Sequence, residues 1–259
     1  MNNSEKRKEY MRNIYSKNWS RKRKEYGVGQ YDKDLIHELS KKIKNGKILE
    51  VGIGDGFPYS NVLDEMGYEV YGIDISPTHV DMVKESLPNI NVRVGDSEDL
   101  EFIDNFFDVV FCFRSTWYFP DVIKSISEML RVVKNDGLIM FDIQNSNHPI
   151  HQKVVKRHKR RQKTHPFINI VEKYIKNIIK ILIRPIVFHS TEWSFQNYNF
   201  IETPTDPNDV ITYLQGREDI GYKLYGVNWD NSFTLKEINK TTDLDQFDRL
   251  VYKVSKKGG

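Results

Sequence analysis

The sequence predicts an α/β fold: a doubly wound, seven-stranded, mostly parallel sheet, with an N-terminal helical arm and a helical insertion after the fifth strand. Three observations predict it. Between Lys47 and Gln144, short apolar stretches alternate with stretches of helical spacing, the rhythm of strand–helix–strand units. The apolar stretches are rich in Val, Ile and Phe, as strands covered on both faces should be. The first of them, KILEV, runs into Gly52, Gly54 and Gly56 and then into a helical pattern.

Each element has its own signal. Residues 3–26 read as a polar helix with Tyr10, Tyr15, Trp19 and Tyr26 interleaved. Leu35, Ile36, Leu39 and Ile43 have helical spacing, and KNG stops that helix at Gly46. Then follow strand KILEV, helix YSNVLDEMG, strand EVYGID, helix PTHVDMVKESL, strands NVRVGD and FDVVFCF, helix DVIKSISEMLRVV and strand GLIMFDI. Residues 148–192 break the rhythm with one long, basic, helix-like insertion. NDVITYLQG reads as a helix, and GYKLYGVNW and FDRLVYKVSKK as strands that pair antiparallel at the sheet edge, joined by a polar stretch near 230–246. The organisation expected is an arm or cap over 1–44, a core over 45–147, a cap over 148–206, and the end of the core over 207–259.

Composition narrows the function. No stretch of about 18 uncharged apolar residues occurs, so no spanning helix is expected. The first residues lack the apolar centre of a secretory signal, and the single Cys112 excludes an intrachain disulfide or a multi-cysteine zinc site. A reducing cytoplasm is the expected location, with peripheral contact at the inner membrane surface as an extension of it. Charge is uneven: residues 1–26 hold nine Lys/Arg and three Glu, and 151–165 hold seven Lys/Arg and no acid, leaving 23 basic and 33 acidic residues elsewhere. Such runs meet phosphates or lipid headgroups, or are solvated helix faces.

The glycine turn has the spacing G-x-G-x-G behind Glu50, unlike the G-x-G-x-x-G that cradles a pyrophosphate. An acidic strand end with a looser turn suits a ligand carrying an ammonium, a sulfonium and a ribose. Asp74, after the second strand, can accept from both ribose hydroxyls. Asp96, after the third, can accept from an adenine amino group, with the Ser97 N–H available to the ring.

With these motifs in order, the chain resembles the class I S-adenosylmethionine-dependent methyltransferases, near the group acting on small molecules. The resemblance covers about residues 45–145, and more weakly 207–254. It implies S-adenosylmethionine as cofactor and a reversed final strand. It also implies that Glu50, Gly52 and Gly54 hold the methionine part, Asp74 and Ile75 the ribose, and Asp96 and Ser97 the adenine. Backbone atoms near Phe113 and Arg114 would meet the amino group, and Tyr15 of the arm would close over the cofactor or staple a helix.

Methyl transfer from a sulfonium requires the acceptor lone pair to be held behind the methyl carbon, at about 3 Å. A hydroxyl acceptor also needs a base, for which His148 and then His151 are best placed beyond the fifth strand. The alternative for His148 is an ordinary loop histidine. His151, His158 and His165 share a helix face but lack carboxylate company, so no metal site is expected. Arg114, Trp117 and Tyr118 could line an acceptor pocket, or Trp117 and Tyr118 could pack on the next helix. Cys112 lies inside a buried strand, which disfavours attack through a cysteine.

The expected acceptor is a small polar molecule methylated on oxygen: a sugar, a nucleotide-linked sugar or a glycan precursor. An RNA methyltransferase gripping phosphates through the two basic segments is the rival reading, and a non-catalytic binder of S-adenosylmethionine is the third. Ile170, Val171, Tyr174, Ile178 and Leu182 fall near one face, so 151–188 could cap the substrate, form a homodimer face, or lie on a polyanion or anionic membrane.

Overall fold

The computed structural model describes residues 3–14, 27–41, 45–152, 155–156, 202–228, 235–238 and 244–258. Tyr15, Trp19 and nearly all of the basic insertion lie outside the described residues, and with them the cap, dimer and membrane readings of 151–188. The described helices are α1 (Asn3–Ile14), α2 (Gln30–Ser40), α3 (Tyr59–Glu65), α4 (Pro77–Ser86), α5 (Val122–Val132) and α6 (Pro207–Gln215). The strands are β1 (Lys47–Val51), β2 (Glu69–Asp74), β3 (Asn91–Val94), β4 (Phe107–Cys112), β5 (Val133–Gln144), β6 (Ile220–Val227), β7 (Lys236–Ile238) and β8 (Arg249–Lys256). They form one sheet in the order β3-β2-β1-β4-β5-β8-β6-β7.

Strand alternation builds two cores. Leu49, Val51, Val110, Cys112, Ile139 and Phe141 face one side, with Ile126, Met129 and Leu130 of α5 and Val210 and Leu214 of α6. Ile48, Val109, Phe111, Leu138 and Met140 face the other, with Leu35 and Leu39 of α2, Tyr59 and Leu63 of α3, and Val83 of α4. Each such fully buried side chain contributes about 1.5–3 kcal/mol. An irregularity between Phe107 and Val109 resets the alternation, which puts Phe107 on the same side as Val110. Helix α5 starts because the Asp121 carboxylate accepts the Lys124 N–H at 2.9 Å.

The sheet has eight strands, not the seven expected. The additional one, β7, pairs antiparallel with β6 through Leu224↔Ile238, Tyr225↔Glu237 and Gly226↔Lys236. It lies in the stretch read as polar connection; three residues are too few to show alternation, and two are charged, as suits a sheet edge. The reversed strand β8 is inside the sheet, antiparallel to both β5 and β6, so the β6–β8 pair is not the edge. Helix α2 ends at Ser40, before the expected Gly46.

The strand order reverses between β1 and β4, which are parallel neighbours. Open α/β sheets bind ligands in the crevice at such a point. Among the described residues no helix is long and apolar enough to cross a membrane.

Candidate active site

A cavity of about 530 Å³ opens at that switch point. Of the residues singled out in the sequence, Gly52, Asp74, Ile75, Asp96, Ser97 and Tyr118 line it and Glu50, Gly54, Phe113, Arg114 and Trp117 do not; Lys8 and Met11 of α1 and Ser115, Phe119 and Pro120 after β4 line it too.

The glycine turn is shaped for close approach. Gly52 has φ +76, and a Cβ there would stand 2.8 Å from Cβ and Oγ of Ser115. Its carbonyl accepts from Ser115 Oγ at 3.1 Å, and the Gly54 N–H donates to Asp74 Oδ2 at 2.9 Å. Gly56 faces Leu87 instead and serves packing. Glu50 is buried behind the turn, where its Oε2 accepts from Ser60 Oγ at 2.5 Å.

Asp74 ends β2 with both oxygens anchored: Oδ2 by Gly54, Oδ1 by the Ser76 N–H at 2.8 Å. His79 Nδ1 also lies 3.3 Å from Oδ2. A carboxylate has about four acceptor positions, so one remains for a ribose hydroxyl. Asp96 follows β3, and its Oδ1 accepts the Glu98 N–H at 2.9 Å. Its Oδ2 stands 2.7 Å from the Lys8 ammonium. The donor and acceptor set, the glycine turn and the cavity thus fit a nucleoside joined to an amino acid.

Beyond β4, Phe113 is buried and Arg114 takes a left-handed φ of +58, with its N–H on Asp142 Oδ1 at 2.7 Å. The Arg114 guanidinium is drawn to Asp32 Oδ1 at 2.7 Å, so its charge is balanced within the protein. Asp142 Oδ2 accepts from the Tyr31 hydroxyl at 2.9 Å and from Arg249 Nη1 at 3.2 Å, and Asp32 Oδ1 also accepts from the Tyr59 hydroxyl at 2.7 Å. Burial works against the Arg249 charge, but Asp142 and Tyr31 outweigh it and hold the pKa above the usual value. Burial first, then Asp142, raises the Tyr31 pKa well above its ordinary range.

This buried network is absent from the sequence reading. Asp142 did carry a signal, as a lone charge inside an apolar run; Arg249, next to Asp248, and Lys8, Glu98, Tyr31 and Asp32 carried none that spacing could reveal.

Trp117 is 5% exposed, in a short turn over Thr116–Tyr118. Its ring lies 4.9 Å from the Arg249 guanidinium carbon. Its indole N–H has no partner among the described residues, and neither has the amide oxygen of Gln144, which is 8% exposed. Gln144 is opposite Arg249 in the β5–β8 ladder.

The two histidines lie beyond β5 and do not line the cavity. Their ring centroids are 6.3 Å apart. His148 Nδ1 accepts the Ile150 N–H at 3.3 Å, and His151 Nε2 is 3.1 Å from the Asp248 carbonyl oxygen. Burial lowers the His151 pKa. Cys112 is fully buried, and burial, then Asp142, pushes its thiol pKa well up. Among the described residues no three His, Cys, Asp or Glu side chains gather to hold a metal.

A glycine turn after β1, carboxylates after β2 and β3, and a cavity at the switch point define a nucleoside-binding domain of the doubly wound class. Comparison with known proteins says which one. Residues 49–141 match the family model described as a methyltransferase domain. The chain is 31% identical over 140 residues, 51% of its own length and 44% of the relative's, to a 2-methyl-6-phytyl-1,4-hydroquinone methyltransferase of Synechocystis sp.. It is 30% identical over 119 residues to phosphoethanolamine N-methyltransferase 2 of Caenorhabditis elegans, 43% of this chain and 27% of that one. The chain therefore spans less than half the length of these curated relatives. A solved S-adenosylmethionine-dependent methyltransferase of Thermotoga maritima superposes with a TM-score of 0.58 at 12% identity, over 93% of this chain and 95% of that one, which shows the common fold. Residues 49–141 thus match a methyltransferase domain, and the chain shares the fold of the S-adenosylmethionine-dependent methyltransferases.

Proposed function

We propose that the protein transfers the methyl group of S-adenosylmethionine to a hydroxyl oxygen of a small polar acceptor, of the sugar, nucleotide-linked sugar or glycan-precursor kind. Glu50, Gly52 and Gly54 hold the methionine part, Asp74 and Ile75 the ribose, and Asp96 and Ser97 the adenine; the backbone at Phe113 and Arg114 meets the amino group. The cofactor supplies an already activated methyl group, so the protein's work is orientation and proton removal.

The observation that carries the acceptor class is the pair of buried polar atoms flanking Arg249. Trp117 offers a donor and Gln144 an acceptor, with no partners among the described residues. A hydroxyl suits either, since it both accepts and donates a hydrogen bond. Tyr118, which lines the cavity, gives a sugar ring an apolar face. The candidates for taking the hydroxyl proton are His148 and then His151, which stand beyond β5 outside the cavity lining; burial lowers the His151 pKa, which favours the neutral imidazole that a base requires.

The test is label transfer from methyl-labelled S-adenosylmethionine to fractionated small molecules, glycans, RNA, protein and lipid. Label in the small-molecule or glycan fraction, shown by nuclear magnetic resonance to be an O-methyl group, is the expected result. Label confined to RNA, protein or lipid, or on nitrogen or carbon, would refute the acceptor class.

A further inference from the structure

Helix α1 presents charge, not only apolar surface, to the cavity. Lys8 is 7% exposed, and its ammonium sits 2.7 Å from Asp96 Oδ2 and 2.8 Å from Glu98 Oε2. Both carboxylates are fixed independently of it: Asp96 Oδ1 by the Glu98 N–H, and Glu98 Oε1 by the Asp121 N–H at 2.9 Å. The ammonium therefore lands on a prepared pair of acceptors, which offset the cost of burying it.

An ammonium has three donors, and two are spent on these carboxylates. Lys8 itself lines the cavity, one turn from Met11, which does the same. The helix is tied down next to it as well, since Arg7 donates through Nη1 to Thr203 Oγ1 at 2.8 Å and through Nη2 to the Trp117 carbonyl at 2.6 Å.

We propose that Lys8 completes the base end of the cofactor site: its ammonium holds Asp96 in place and gives its third N–H to a ring nitrogen of adenine. The inference rests on the placement of adenine at Asp96 and Ser97. It assigns a cofactor residue outside the glycine turn and the strand ends.

Calorimetry on the full chain tests it, with S-adenosylhomocysteine, adenosine and the 1-, 3- and 7-deaza analogues of adenosine as probes. Lys8→Met should weaken S-adenosylhomocysteine and adenosine by the same factor, about tenfold, the worth of one charged hydrogen bond. Stopped-flow dissociation of S-adenosylhomocysteine should quicken correspondingly. Lys8→Arg should recover most of the affinity. Replacing one ring nitrogen by carbon should penalise the wild type and not the Met variant, a result that general loosening of α1 cannot produce. Equal or tighter binding by Lys8→Met, or equal deaza penalties in both proteins, would overturn the assignment of Lys8 alone. Failure of the wild type to bind either S-adenosylhomocysteine or adenosine would overturn the cofactor site together with it.

Discussion

Asp142→Asn keeps the shape of a fully buried side chain and removes its charge. Two carboxylates, Asp32 and Asp142, balance two guanidinium groups, Arg114 and Arg249, in the network behind the cavity. The substitution leaves one carboxylate for two cations. It also forces a choice of orientation. The new amide nitrogen must face either the Arg114 N–H, now 2.7 Å from Oδ1, or the Tyr31 hydroxyl and Arg249, now at Oδ2. The tyrosine hydroxyl can turn and accept; a backbone N–H and a guanidinium cannot. Breaking a buried pair by removing one partner costs about 3–5 kcal/mol, against a total stability of about 5–15 kcal/mol. For a chain of this size each kcal/mol moves Tm by about 2–4 °C, so the expected fall is about 6–20 °C. Thermal unfolding followed by circular dichroism, with urea titration as a second measure, reads it directly. A fall under about 2 °C, equivalent to less than 1 kcal/mol, would show that the network is not the electrostatic unit described.

Asp74→Asn should raise the dissociation constant for S-adenosylhomocysteine by about 10- to 100-fold, the loss of one charged hydrogen bond to a ribose hydroxyl; calorimetry showing less than a twofold change would remove Asp74 from the site. Gly52→Ala puts a Cβ against Ser115 at φ +76 and should cost about 1–2 kcal/mol, read as a lower urea midpoint with weakened cofactor binding. For His151 the sign follows from its lowered pKa: the unfolded chain binds this proton more readily than the native protein. The contribution is therefore whole above about pH 6.5, the unperturbed value, and is lost as pH falls from there through the native pKa. The wild type should lose more urea stability than His151→Gln across that window, and parallel pH profiles would contradict it.

The motif-bearing half of the fold was legible because its causes are local. β1, β2, β4 and β5 are largely buried and show as apolar runs, whereas β3, at the sheet edge, is exposed or half-buried throughout; the glycine turn needs φ values that leave a mark in the sequence. Asp74 and Asp96 were legible because they follow strand ends directly. What escaped depends on partners far apart in the chain. Asp142 meets Tyr31 and Arg249, 111 and 107 residues away. An acid in GLIMFDI announces a buried charge, but nothing in the spacing says that the arginine in FDRLVYKV belongs to it. β7 escaped because its pairing is set by the position of β6, not by its own three residues.

The basic arm shows how a summed charge misleads. Residues 1–26 carry a net excess of six positive charges, which on the sequence alone suits a phosphate grip. Yet α1 turns Arg7, Lys8 and Met11 toward the cavity side and leaves Lys6, Glu9 and Arg12 exposed. Arg7 is buried enough that its pKa falls to about 10, despite the nearby Glu98. The Lys8 charge is taken up by Asp96 and Glu98. Two of the nine cations are thus spent on the protein's own carbonyl and carboxylate oxygens and are withdrawn from any phosphate. A helix seated in this way has charge on both faces, so it shows no strong apolar stripe, and hydrophobic burial alone would not place it. The Asp96 and Glu98 carboxylates do, and the ion pairs that seat α1 also put Lys8 in the cavity wall.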